Sequence, residues 1–111
     1  MNTRFGKYSD EQVEEFLKRI HGMIHWLLIY KEKNSQVLDS YFDLVQRKIC
    51  GINSLFGNSP EIIDLAVTVE EARLEYEKGI ECDNKKYRSI IFDAHSAVDR
   101  IVHKEEVVHD V

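Results

Sequence analysis

Proline occurs once in this 111-residue sequence, glycine five times and cysteine twice. Each scarcity excludes something. With so few residues that stop or bend the backbone, many short strands joined by turns are disfavoured and long helices favoured. Cys50 and Cys82 stand far apart with no CxxC spacing, so neither a disulfide framework nor a zinc knuckle is suggested; both read as reduced thiols. Basic side chains are outnumbered, 15 against 20 acidic, for a formal net charge of −5. That balance argues against broad binding to nucleic acid or to an anionic membrane, while leaving room for a local basic patch. Long apolar runs are missing as well: the densest, Trp26 to Tyr30, is far shorter than the ~20 residues of a membrane span. The opening stretch MNTRFGKYSDEQ has no apolar segment of the secretory kind, so a cytoplasmic location is expected.

What is present suffices for a core. Hydrophobic residues make up 43% and charged residues 32% of the chain, an ordinary balance for a globular protein. A chain of this length buries roughly 60–65% of its unfolded surface, so no metal, cofactor or disulfide is required for folding.

The apolar residues recur at helical spacing throughout. Ser9 is placed to cap a first helix, about 10–32, in which Val13, Phe16, Leu17, Ile20, Ile24, Leu27 and Leu28 form the principal stripe. Asn34-Ser35 can end it and cap the next with almost no loop. The pairs Val37/Leu38 and Tyr41/Phe42, then Val45, Ile49, Ile52 and Leu55/Phe56, mark a second helix, about 35–56, that Gly57 can terminate. Ser59-Pro60-Glu61 reads as N-cap, first helical position and favourable acid of a third helix, about 60–78, closed by Gly79. A fourth, about 84–104, carries Tyr87, Ile90/Ile91, Ala94, Val98, Ile101 and Val102, leaving tails at 1–8 and 105–111. Four helices with short connections form one domain, an all-α up-down-up-down antiparallel bundle.

The most apolar stretch, LKRIHGMIHWLLIY from Leu17 to Tyr30, nevertheless contains two histidines four residues apart. His21 lies in the row Leu17–His21–Ile24–Leu28, and His95 in the row Ile91–His95–Val98–Val102. In an antiparallel bundle the first and last helices are neighbours, so His21 and His95 are expected to meet at one level, both facing the core. His21, His25 and His95 could ligate a divalent metal, with Glu70 or Glu71 adding an oxygen. Against that, the chain has neither HExxH nor the paired Glu-x-x-His of di-iron bundles. Hydrogen-bonded core histidines are the simpler expectation.

Three family patterns touch these residues. Phe16 to His21 resembles the Phe-x-x-x-x-His of histidine phosphotransfer domains, implying a phospho-accepting His21; that family follows its histidine with Lys-Gly, where Met23-Ile24 stand here. Arg88 to His95 resembles the Arg-x4-6-His of HEPN-type nucleases, which implies a hydrolytic His95, although seven residues are also simply two helical turns. The carboxylates Glu71, Glu75, Asp93 and Asp99 lack the spacing of three that MazG-type pyrophosphatases use to hold magnesium. The run Glu70, Glu71, Arg73, Glu75, Glu77, Lys78 is read as a solvated helix face.

Apolar surplus carries the leading functional expectation. Trp26, Ile29 and Tyr30 lie off the principal stripe of the first helix, and Ile63, Val67 and Leu74 off that of the third. A helix apolar nearly all round must bury its second face somewhere, and a central Trp is typical of interface hot spots. The expectation is a non-enzymatic protein that acts by binding another protein, itself, or both, as adaptor, regulator or inhibitor, with Trp26, Ile29 and Tyr30 as the contact and a homodimer as its simplest form. In size and acidity the chain resembles small helical phage and mobile-element products that block host enzymes. The competing expectation is a metal-binding or hydrolytic bundle using His21, His25 and His95.

Overall fold

The computed structural model describes the backbone of residues 10–55 and 59–110, with the side chains of all these except 10, 13, 55 and 102–110. The expected roles of Ser9, Phe56 and Gly57 lie outside the described residues, as do the side chains of Val13, Leu55 and Val102. Among the described residues four α-helices follow in order: α1 Asp10–Glu32, α2 Leu38–Leu55, α3 Pro60–Tyr76 and α4 Asn84–Asp110, with a 3-10 turn, Gly79–Glu81, before α4. Each packs on its neighbour in sequence, and α1 packs on α4 to close the ring. The arrangement is the antiparallel four-helix bundle that the periodicity predicts.

The core is filled from every helix. Leu17, Ile20, Ile24 and Leu27 of α1 meet Leu38, Phe42, Val45 and Ile49 of α2, Ile62, Leu65 and Val69 of α3, and Tyr87, Ile91, Ala94 and Val98 of α4. Burial of each large aliphatic side chain contributes about 1.5–3 kcal/mol, so this interior supplies the main driving force. A polar tie joins two helices across it: the Tyr87 hydroxyl donates to the Leu27 carbonyl at 2.8 Å. Burial pushes that phenol well above the ordinary tyrosine range.

The helix ends depart from the sequence-based expectation in instructive ways. α2 begins at Leu38, not at 35. Asn34 adopts a left-handed φ of 53°, the Ser35 amide donates back to the Tyr30 carbonyl at 2.9 Å and the Asn34 amide to Lys31 at 3.1 Å, a Schellman closure of α1. The Ser35 hydroxyl then accepts from the Val37 amide at 3.3 Å, so two residues of turn are spent before helical bonding resumes. Ser59 precedes α3 in extended conformation but makes no side-chain cap; its hydroxyl instead donates to the Glu61 carboxylate at 2.8 Å. α3 closes at Tyr76, short of 78, and Gly79, with φ of 64°, turns the chain as a residue without Cβ can. α4 continues past 104 to Asp110, with no proline or glycine after Gly79 to stop it.

Candidate functional site

Three places gather chemistry-bearing side chains, and the bundle's seams define each. The first is the α1–α4 seam. His21 and His95 meet there, ring centres 4.3 Å apart and planes 17° from parallel, while His25 lies 5.9 Å from His95 and Phe92 6.2 Å from it. The level of the meeting is as the antiparallel register predicts. The depth is not: the His21 side chain keeps 40% of its exposure, with Nε2 3.9 Å from the Asp99 carboxylate, so His21 sits at the rim, not in the core. Leu17, Ile20, Ile24 and Leu28 already fill the inward arc of α1, and the i+4 residue after Leu17 falls just beyond it. His95 is half-buried. Desolvation, then the neighbouring imidazoles of His21 and His25, hold its pKa below the ordinary histidine value.

These rings present faces to one another, whereas metal ligands aim nitrogen lone pairs at one point. Among the described residues no group of three His, Cys, Asp or Glu side chains is placed to hold a metal ion. Glu70 and Glu71 do not join them. Glu70 is bonded to Arg73 and accepts from Gln46 of α2 at 3.3 Å, and Glu71 points to solvent. Arg88 turns to Glu32 at 3.7 Å and lies over the Phe92 ring at 5.6 Å.

The second place is the α3–α4 junction. Glu75, expected on a solvated face, is 3% exposed. Its carboxylate accepts from the Asp83 amide at 3.0 Å and from Lys78 Nζ at 3.0 Å, with Lys86 Nζ 3.4 Å away. The Asp83 amide bond first, then the Lys78 ammonium, hold its pKa below the ordinary carboxylate range. Asp83 in turn caps α4, accepting from the Lys85 and Lys86 amides at 3.0 and 3.2 Å. Every group in this network is spent on holding the turn, which gives it an architectural role.

The third is the α1–α2 seam, where an aromatic chain reaches the surface. Trp26 is 44% exposed and its ring lies 5.4 Å from Tyr30; Tyr30 meets Tyr41 of α2 edge-on at 5.1 Å. Desolvation, then Tyr30, raises the Tyr41 pKa. Trp26 and Tyr30, expected together, are together. Ile29 is half-buried and lies one turn beyond His25, on the side of α1 away from Tyr41. Val37 and Leu44, both exposed, extend the patch along α2, four residues before and three after Tyr41. Sequence reading placed Val37 and Tyr41 in the core row and passed over Leu44. The signal was the doublets Val37/Leu38, Tyr41/Phe42 and Leu44/Val45, whose second members are buried and whose first members lie 100° round, on the side where Tyr41 meets Tyr30.

Below this patch the seam opens into a groove of about 400 Å³. Phe16, Ile20, Met23 and Ile52 form its apolar floor, Gly51 leaves one wall low, and Arg19, Arg47 and Lys48 stand at its edges. Among the described residues no helix is long and apolar enough to cross a membrane. Comparison with known protein families, curated proteins and solved structures finds no match to this chain.

Proposed function

We propose that this protein acts by binding protein, through the α1–α2 face centred on Trp26 and Tyr30, with Ile29 at its margin, and that its simplest complex is with a second copy of itself. One observation carries the reading: the Trp26–Tyr30–Tyr41 aromatic chain stands at the surface with Val37 and Leu44 beside it, where nothing in the fold needs so much apolar area exposed. Large aromatic side chains in a shallow apolar surround give the greatest affinity per residue at protein interfaces. An adaptor, regulator or inhibitor role follows from this better than catalysis does, because the histidine rings stack and the buried carboxylate Glu75 is fully engaged. A cytoplasmic setting fits the two free cysteines.

Sedimentation equilibrium of the wild type and of Trp26→Glu, from micromolar to millimolar concentration, tests the reading. The wild type is expected to exceed the mass of one chain, and Trp26→Glu to return to it. Partner capture from native lysate with the same variant as control covers a foreign partner. Wild-type behaviour of Trp26→Glu in both measurements would falsify the proposal.

A further inference from the structure

The groove below Trp26 is basic in an acidic chain. Of its eight lining residues among those described, three are cations, Arg19, Arg47 and Lys48, and none is a carboxylate. Arg19 pairs weakly with Glu15 at 3.5 Å on the outer face of α1, and among the described residues Arg47 and Lys48 have no carboxylate partner. On α3 the same molecule carries the complementary shape. Ile63, Val67 and Leu74 are 46%, 52% and 55% exposed, and their spacing of four and seven residues places them on one line, directly opposite the buried row Ile62, Leu65, Val69 and Ala72. Asp64 and Glu71 flank that line and are exposed. The helix as a whole has five carboxylates against one arginine. The ridge from Ile63 to Leu74 is about 16 Å long at 1.5 Å per residue. The groove runs from Phe16 to Met23 along α1, about 10 Å by the same rise, which matches the seven-residue span from Val67 to Leu74 on the ridge.

We propose that the acid-flanked apolar ridge of α3 in one copy docks into the basic apolar groove between α1 and α2 of another. This deepens, and rests on, the reading that the α1–α2 face binds protein. Arg47 and Lys48 meet Glu71 and Asp64 across the contact, and Val67 and Leu74 cover Met23 and Phe16. Because groove and ridge are different surfaces, the contact is heterologous: each copy offers both halves, and copies join head to tail into a ring or an open chain. Charge complementarity of this kind also makes association salt-sensitive.

Two variants that each disable one half test the inference. Gly51→Leu fills the groove, since the added side chain enters open space, and Val67→Glu places a charge on the exposed ridge. Circular dichroism and melting of each establish that it folds. The wild type is expected to assemble beyond one chain, less so in high salt, and each variant alone to remain a single chain. Their equimolar mixture is expected to form a dimer and stop there, since it holds one intact groove and one intact ridge. Lys48→Glu is expected to weaken assembly by about tenfold or more, the scale of a close interfacial charge pair, and mixing it with Asp64→Lys to recover it. A monomeric wild type, or a mixture that stays monomeric, overturns the inference. Assembly that Trp26→Glu abolishes and the groove and ridge variants leave intact also overturns it, while the aromatic-face reading stands. Unaltered assembly of Trp26→Glu beside a dimeric mixture has the opposite meaning.

Discussion

His21 and His95 lie face to face across the α1–α4 seam, 4.3 Å between ring centres, with the His25 ring 5.9 Å from His95. Desolvation, then the imidazoles of His21 and His25, hold the folded pKa of His95 below the ordinary histidine value. An unfolded histidine titrates near about 6.5, so on acidification the unfolded chain takes a proton that the fold resists. Stability from this group is present above about pH 6.5 and is lost as pH falls through that value toward the lower folded pKa. The melting temperature is expected to drop between neutral and mildly acid pH, and His95→Phe, which keeps ring packing without a titratable nitrogen, to flatten that drop. Parallel pH profiles for the two proteins would show that His95 is not its source.

Glu75 gives a second acid limb in a different window. Its folded pKa is lowered by the Asp83 amide and Lys78, while an unfolded glutamate titrates near about 4.3. Stability from Glu75 is thus present above about pH 4.3 and lost as pH falls through the folded value. Glu75→Gln keeps the shape but exchanges an acceptor oxygen for a donor toward Asp83. It is expected to lower the melting temperature by several degrees at neutral pH, with the gap to wild type closing in strong acid. A gap that stays constant down through the carboxylate range would assign the loss to packing instead.

How far such details were legible in the sequence depends on which side of a helix each residue falls. The bundle, its four helices and the His21–His95 encounter follow from periodicity and antiparallel register alone, because one apolar stripe per helix leaves few other ways to close a core. Glu75 was not legible. It lies among Glu70, Glu71 and Glu77, which the sequence does not distinguish from it, and only the turn through Gly79 and the arrival of Asp83 above it make it buried. The start of α2 was hidden for a similar reason: Ser35 and Asn34 both have cap chemistry, and the left-handed turn at Asn34 decides between them. The aromatic surface was half legible. Trp26 and Tyr30 announce a surplus on α1, but their partner Tyr41 is indistinguishable in sequence from a core residue.

Tyr87 allows an alkaline test of the core. Its hydroxyl bond to the Leu27 carbonyl is worth about 1 kcal/mol net, which is the expected loss in Tyr87→Phe at neutral pH. Burial raises the folded phenol pKa above the unfolded value near about 10, so stability from Tyr87 is present below about pH 10 and lost as pH rises past it. Denaturant midpoints measured below and above that pH are expected to fall for the wild type more than for Tyr87→Phe. Equal falls would mean that other groups set the alkaline limit.

Gly22 and Gly51 separate stability from binding. Both sit on exposed positions of helices, α1 and α2, and a Cβ added at either meets nothing within 4 Å. Alanine is favoured over glycine within a helix by roughly 0.8–1 kcal/mol, because glycine loses more backbone freedom on folding. Gly22→Ala and Gly51→Ala are therefore both expected to raise stability by about that amount, read as a shift in denaturant midpoint without a change in slope. Their effects on association are expected to differ. Gly22 does not line the α1–α2 groove, whereas Gly51 forms its low wall, so a methyl group at 51 narrows the site while leaving the fold stronger. Stabilisation in both proteins with weakened assembly in Gly51→Ala alone would tie the glycine at 51 to the contact; equal assembly in both would leave Gly51 no role beyond local helix propensity.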